Sequence, residues 1–364
     1  MSKYREKDGK RNNIFYKGID ITALFLRDYS TLSKGEILTI KGFYKNSNAA
    51  EIKNIMIDAK ILPFAACVLS KVNCDKEYWD KEHEKFVLRN TQIKDLLDCV
   101  FKESNHSKVS SLALVENFGT VLSSNSCIGC FFSGDIDLTA NITDKNNIEK
   151  CLNKFNFFND YRSKNAAYLT DQMSMYYNPD AIGGGFWINV MWKPVARSFL
   201  IQEKYDKRLN IARSSSIRID KSNIKVLDNS YLLYFNALHI AAGHYYTLNP
   251  GLRLYVDIDR LIRSKDINWD NIKKWSLYDD AGLRIAIVLY LSKKIFKTPI
   301  PPSAYTYITE TRRGRNLIKY LYKYKSNQIQ SKSNKFRRLY LELISDNRNI
   351  FYSLFYRTYK LFLS

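Results

Sequence analysis

Apolar residues recur along this chain at two different periods, and the change of period divides it. In TQIKDLLDCVFKE, residues 91–103, Ile93, Leu96, Leu97, Val100 and Phe101 fall at i, i+3, i+4, i+7 and i+8, the repeat of a helix with one buried face. Upstream, residues 1–50 mix charge, Asn and Gly with apolar clusters such as TALFLRDY, which predicts a loose start followed by short helices. Residues 1–105 are thus expected to form a helical N-terminal region. The period then shortens. SSLALVENFG, residues 110–119, predicts a buried strand closed by a turn at its Gly. GDIDLTANI, residues 134–142, predicts a second strand leading into a helix that starts at Thr143-Asp144 and buries Ile148, Cys151, Leu152 and Phe155.

Two more extended runs follow. MSMYY lies near residue 175, and GGGFWINVMWKP alternates so that Phe186, Ile188, Val190 and Trp192 share one face while Trp187, Asn189 and Met191 share the other. SIRIDKSNIKVL predicts a hairpin turning near Lys221-Ser222-Asn223. Beyond Asp228 the helical repeat returns in YLLYFNALHIAAGH, VDIDRLIR, NIKKWSLY and LRIAIVLYLSKKIF, and TPIPPSAY closes the series. The expected fold is α+β: a small mixed sheet with helices over residues 106–228, an α-helical module over 229–309, and a basic, aromatic helical segment over 310–364.

With 364 residues, 45% hydrophobic and 26% charged, the chain can bury its cores without disulfides. The net charge of +21 is uneven, since residues 310–364 hold 13 Lys/Arg against 3 Asp/Glu. Such a field attracts nucleotides, nucleic acid, polyanionic acceptors or anionic lipid headgroups alike. The aromatic residues of that segment, among them Tyr320, Tyr322, Tyr324, Phe336, Tyr340 and Phe351, have the helical spacing of core positions more than that of a single-strand nucleic-acid platform. No run approaches the roughly 18 apolar residues of a membrane span, so at most a peripheral contact is expected. Six cysteines, and a start MSKYREKDGKRNN without an apolar segment, predict a reducing cytoplasm. Cys127-Ile128-Gly129-Cys130 has zinc-ribbon or redox spacing, but no second CxxC or HxxxH follows it to supply two more ligands, so no zinc site is expected.

The candidate chemistry centres on Asp135-Ile136-Asp137. Alternate strand residues point the same way, which sets the two carboxylates on one face roughly 7 Å apart while Ile136 and Leu138 anchor the other. That spacing suits Mg²⁺ (or Mn²⁺), which keeps most positions for water and substrate phosphates. Gly134 opens the backbone to a phosphate-bearing ligand, and Ser133 supplies a hydroxyl. Asp257-Ile258-Asp259 repeats the pattern inside a predicted helix, where positions i and i+2 diverge by about 200°, and reads as structural. His239 and His244, five apart on a helix expected over 231–246, diverge by about 140° and do not make an i,i+4 metal pair; His239 reads as a packing residue. Gly183-Gly184-Gly185 precedes a strand and lacks the Lys-Ser/Thr of a P-loop, so it reads as a flexible strand entry.

The order of these features resembles the bacterial nucleotidyltransferase family proteins of the DNA polymerase-β-like superfamily, often found with polysaccharide or peptide-product genes. The resemblance rests on IMIDAKILPFAACVLSKV, RNTQIKDLLDCVFKE, GDIDLTANI, and the run from LLYFNALHIAAGH through LRLYVDIDRLIRSKDINWDNIKKW to PIP. It implies a polymerase-β-like core, an NTP as substrate, Asp135 and Asp137 as metal ligands, and Gly119, Ser133 and Gly134 as nucleotide-binding residues. The acceptor would be a hydroxyl or phosphate of a sugar, peptide or other small molecule. The chain departs from the family where Phe118-Gly119 replaces Lys-Gly, where Phe131-Phe132 replaces an Arg, and where Asn189 and Met191 stand on the later strand in place of a third carboxylate. Asn189 is nonetheless grouped with the catalytic residues, since an amide can ligate a metal or orient a hydroxyl but is no general base. Transfer then needs an ionised acceptor or a carboxylate from elsewhere, with Glu116 and Asp171 as candidates. The alternatives are a catalytically weakened relative that binds nucleic acid or another anionic partner, and a nucleotidyltransferase acting on transfer RNA, which the charge alone supports.

Overall fold

The computed structural model describes residues 15–16, 19–131, 134–159, 173–193, 202–247, 251–264, 266–323 and 341. After a two-stranded ribbon, β1 (Phe15–Tyr16) and β2 (Ile19–Asp20), come five helices: α1 (Ile21–Leu26), α2 (Lys34–Lys45), α3 (Ala49–Asp58), α4 (Leu62–Lys71) and α5 (Lys76–His106). Local chemistry sets several of their starts. Ser33 and Glu36 form a reciprocal capping box on α2, Asn48 accepts from the Glu51 N–H at the head of α3, and Pro63 occupies the first turn of α4, where its missing N–H costs nothing.

The central segment follows as β3 (Ala113–Leu114), α6 (Glu116–Ser123), β4 (Asp135–Thr139), α7 (Lys145–Asn153), β5 (Phe158–Asn159), β6 (Met173–Asn178), β7 (Phe186–Met191), α8 (Gln202–Ser214), β8 (Ile217–Arg218) and β9 (Lys225–Val226). The strands form one mixed sheet in the order β5-β6-β7-β4-β3-β9-β8. Its two central strands, β4 and β7, run parallel with Asp135 opposite Trp187 and Asp137 opposite Asn189. The β8–β9 hairpin and the apolar face of α7 (Ile148, Cys151, Leu152) match the expectation from sequence.

One expectation is corrected. The run 110–119 does not continue as a strand to a turn at Gly119: the strand stops at Leu114, and α6 begins at Glu116. Glu116 adopts the left-handed region, φ 57°, which reverses the chain so that α6 folds back on the strand it follows. Gly119 lies inside that helix, where an added Cβ would stand 3.4 Å from the Leu114 carbonyl carbon. The triple glycine is a turn between β6 and β7: all three residues have positive φ, and a Cβ on Gly185 would collide with the Tyr177 hydroxyl at 2.1 Å.

The remaining helices are α9 (Asn229–Leu238), α10 (Leu252–Ser264), α11 (Trp269–Tyr278), α12 (Gly282–Phe296), α13 (Thr306–Glu310) and α14 (Arg312–Lys323). They share an apolar core with the N-terminal helices, in which Phe25, Met56 and Leu69 join Leu232, Tyr255, Ile287 and Leu317. A second core lies under the sheet, where Ile93, Leu97, Val100 and Phe101 of α5 meet Ile136 and Leu138 of β4, Ile188 and Val190 of β7, and α7. On α14, Leu317 and Leu321 are buried while Arg312, Arg313 and Arg315 are exposed; Tyr324, Phe336, Tyr340 and the aromatics beyond them lie outside the described residues.

At the far ends of the central strands, Arg213 of α8 is 4% exposed and ties both strands together. Its Nε donates to Thr139 Oγ1 (3.1 Å), Nη1 to Asn141 Oδ1 (2.8 Å), and Nη2 to Thr139 Oγ1 (2.7 Å) and the Trp192 carbonyl (2.9 Å). Replacing it strands several buried acceptors, each costing about 1–3 kcal/mol. Arg213→Met is therefore expected to lower unfolding stability by about 3 kcal/mol in urea titration, with Arg213→Lys intermediate; a loss within experimental error for Arg213→Met would show that the staple is dispensable.

Candidate active site

Strand alternation sends Ile136, Leu138, Ile188 and Val190 into the core beneath the sheet. Asp135, Asp137 and Asn189 therefore project from the opposite face. Because β4 and β7 pair in parallel with Asp137 opposite Asn189, the buried amide of Asn189 (5% exposed) sits between the two carboxylates. Its Nδ2 donates to Asp135 Oδ2 at 3.1 Å and to Asp137 Oδ1 at 3.0 Å. The Oδ1 of the same amide is buried without a hydrogen-bond partner. Asn189 thus occupies the position beside the carboxylate pair.

Burial, together with the negative charges of Glu116 and Asp135, holds the Asp137 carboxyl well above the ordinary carboxylate range, and the amide of Asn189 only partly offsets them. Glu116 is the carboxylate that reaches the site from another element. It is 5% exposed, and the neighbouring Val115 N–H donates to the Asp137 carbonyl at 3.1 Å. Its left-handed backbone is the kind of strain, of order 1–3 kcal/mol, that concentrates at functional sites. Asp171, the other candidate, lies outside the described residues, as does Ser133. Gly134 is exposed, an added Cβ there would meet nothing within 4 Å, and its carbonyl accepts from the Trp187 N–H, so the approach to Asp135 is open.

His239 is held by polar partners as well as by packing. Its Nδ1 lies 2.9 Å from Glu116 Oε1, an ion pair. Burial opposes the charge of the imidazole, but the Glu116 and Asp137 carboxylates outweigh it and raise its pKa. The predicted helix over 231–246 is not continuous: α9 ends at Leu238 and the next turn, His239–Gly243, widens into a π-helical turn. In that turn residues five apart stack, so His244 Nε2 comes within 2.8 Å of His239 Nε2. The two histidines that an α-helix would separate are neighbours, and π turns of this sort recur at functional sites. Nothing but the spacing of five was available in the sequence to reveal it.

The second Asp-Ile-Asp does lie in a helix, α10, and its carboxylates diverge as expected. Asp259 turns away to Arg263 (2.9 Å) and Thr298 Oγ1 (2.6 Å). Asp257 faces the site: burial, with a contribution from Glu116, pushes its carboxyl up to about 7 against the charges of Arg260, Arg253 and His239. Phe131, where the resemblance called for a basic residue, packs against Phe118 with ring centroids 4.9 Å apart and belongs to the core.

A hard cation suits this donor set. Two carboxylates converge on one face and share the Asn189 NH₂ group as a donor, while the Oδ1 on the other branch of that amide is buried without a partner. The sequence profile of a family described as an uncharacterised nucleotidyltransferase matches residues 45–292, a span that includes β4, β7, Glu116 and His239. No curated protein and no solved structure matches the chain. With more than half its length matched, the chain belongs to this nucleotidyltransferase family and is a transferase.

Proposed function

We propose that this protein is a Mg²⁺-dependent nucleotidyltransferase that moves a nucleotidyl or phosphoryl group from an NTP to a hydroxyl or phosphate of a sugar, peptide or other small acceptor. The observation that carries the reading is the bridging of Asp135 and Asp137 by the Asn189 amide on the paired strand. Asp135 and Asp137 would hold the ion, and the Asn189 amide, turned so that Oδ1 takes the place of Nδ2, would add a neutral third donor. When bound, the ion neutralises charge on the transferred group and on the departing pyrophosphate. Gly134 lets the triphosphate approach the strand. Arg253 of α10 lies near enough to Asp257 and His239 for its charge to act on both, and would supply positive charge for phosphate. Glu116 would act as the general base: its carboxylate is buried, and the ion pair of its Oε1 with His239 Nδ1 at 2.9 Å stabilises it until it accepts the acceptor's proton.

The absence of a carboxylate at Asn189 supports one rival, a weakened relative that binds an anionic partner through its positive surface. Calorimetry with ATP, GTP, CTP and UTP, with and without Mg²⁺, separates the two. Metal-dependent binding of one nucleotide, lost in Asp135→Ala/Asp137→Ala, is the expected result. Absence of metal-dependent binding for all four would sink the enzyme reading and favour the binding module.

Asn189→Asp adds a third carboxylate to an already crowded face. Without metal it is expected to lower stability at neutral pH by about 1–3 kcal/mol, because the added charge is buried among like charges. With Mg²⁺ the order reverses, since an ion that binds only the folded state stabilises it. Thermal melts of both proteins, with and without Mg²⁺, read the reversal, and a Mg²⁺-independent difference would argue against a cation at this face.

The raised carboxyl of Asp257 gives a pH signature. Its folded value of about 7 exceeds the ordinary 3.8, so its contribution to stability is fully present below about pH 4 and is lost as pH rises through 7. Between pH 5 and 8 the native protein is expected to lose about 2–3 kcal/mol more than Asp257→Asn. Urea titrations at the two pH values that leave the two proteins parallel would place Asp257 in an ordinary solvated environment.

A further inference from the structure

Away from the carboxylates, α4, α5 and the loop between α6 and β4 bring Cys67, His83, Cys127 and Cys130 together. One ligand atom of each lies within 4.8 Å of all the others. No CxxC or HxxxH follows the Cys127–Cys130 pair, but Cys67 and His83 stand upstream of it on a helical hairpin and complete a set of four candidate ligands. Cys67 is on the penultimate turn of α4 and His83 on the second turn of α5, where the antiparallel helices face each other.

Four ligand atoms within 4.8 Å of one another can close on one tetrahedral ion with small side-chain movements. Bonds of about 2.0–2.3 Å from zinc to nitrogen and sulfur give a tetrahedron with edges of roughly 3.3–3.8 Å. His83 Nε2 and Cys127 Sγ already stand 3.3 Å apart. Cys67 and Cys130 are buried, where reactive exposed thiols are not expected. The loop is held by hydrogen bonds that do not involve the ligands' side chains: from α5, Asn90 Nδ2 donates to the Ile128 carbonyl (2.7 Å) and the Phe131 carbonyl (2.9 Å), and from α10, Arg260 Nη1 donates to the Cys130 carbonyl (3.2 Å). Gly129 lies flat on the imidazole, where a Cβ would fall 2.4 Å from the His83 ring. Three thiolates and a neutral imidazole on Zn²⁺ carry a net charge of −1, and the ammonium of Lys71 faces the three sulfurs.

We propose that Cys67, His83, Cys127 and Cys130 form a structural zinc site that clamps the loop entering β4 onto the α4–α5 hairpin. All four positions are filled by protein, which leaves no open position for substrate and marks the site as structural. Its role is positional: Cys130 precedes Asp135 by five residues, so the clamp fixes where the strand of the carboxylate pair begins. The ion is separate from the Mg²⁺ proposed above, and soft thiolate ligands select zinc over magnesium.

The full chain, produced with zinc in the medium and kept reduced with a phosphine, is expected to carry one zinc per chain by elemental analysis. After exchange, cobalt should show the visible ligand-field bands and sulfur-to-metal charge transfer of a tetrahedral thiolate site. Iodoacetamide mapping distinguishes ligands from bystanders: exposed Cys99 should react throughout, and Cys127 only after a chelator removes the metal. Cys127→Ser is expected to weaken zinc binding by roughly tenfold or more. Should that variant fail to fold, the protection of Cys127 in the wild-type chain still decides the matter. A folded, reduced wild-type chain that holds no zinc, that holds iron in its place, or in which Cys127 alkylates as fast as Cys99 with metal present, overturns the proposal.

Discussion

In a parallel strand pair the residues in register project to the same side, and this site depends on one such register. Asp137 stands opposite Asn189, so a single amide reaches both carboxylates of β4. A slip of one residue would present Ile188 or Val190 to the carboxylates and turn the apolar face of β7 out of its core. Several independent features oppose that slip. Phe186, Ile188 and Val190 are fully buried beneath the sheet, the glycine turn fixes the entry to β7, and Arg213 binds the ends of both strands at once. Register is therefore set by packing and turn geometry, and the polar site inherits it.

The other half of the site arrives by two departures from regular backbone. Glu116 enters through a left-handed residue between β3 and α6, and His239 through a π turn at the end of α9. Each departure is local, yet together they set a carboxylate against an imidazole 2.9 Å away and beside Asp137. A regular strand continued to Gly119 and an unbroken helix over 231–246 would each have aimed these side chains elsewhere. Irregularity here buys placement that periodic backbone does not offer.

That contrast explains how much was legible in the sequence. Periodicity reports which face of an element is buried, so the α+β architecture, the alternation of β7, the face of α7 and the helical setting of Asp257-Ile258-Asp259 could all be read from it. The Asp135–Asp137 pair was legible for the same reason, since period two places both on one side. Partnerships between elements were not. Asn189 was named only through its place in a family pattern, and its bond to both carboxylates depends on strand order. Glu116 was one of two candidates that spacing could not separate. Cys67 and His83 gave no signal as ligands because they lie 60 and 44 residues before Cys127, and only the α4–α5 hairpin closes that distance.

Charge gives the site its last constraint. A chain of net charge +21 holds Asp135, Asp137, Glu116 and Asp257 around one centre, where burial and mutual repulsion raise Asp137 and Asp257. Such crowding opposes folding, and the Asn189 amide and His239 offset only part of it. A fold selected for stability alone would gain by replacing one of these carboxylates with an amide or an apolar residue. Retention of all four is intelligible if the working state contains a cation, because the ion turns each like charge from a cost into a ligand or a counter-charge. Surface charges farther than about 8–10 Å cannot do this, since physiological salt largely screens them. Neutralising charge has to act at the site itself, and the Mg²⁺ proposed above would supply it there, held by two carboxylates.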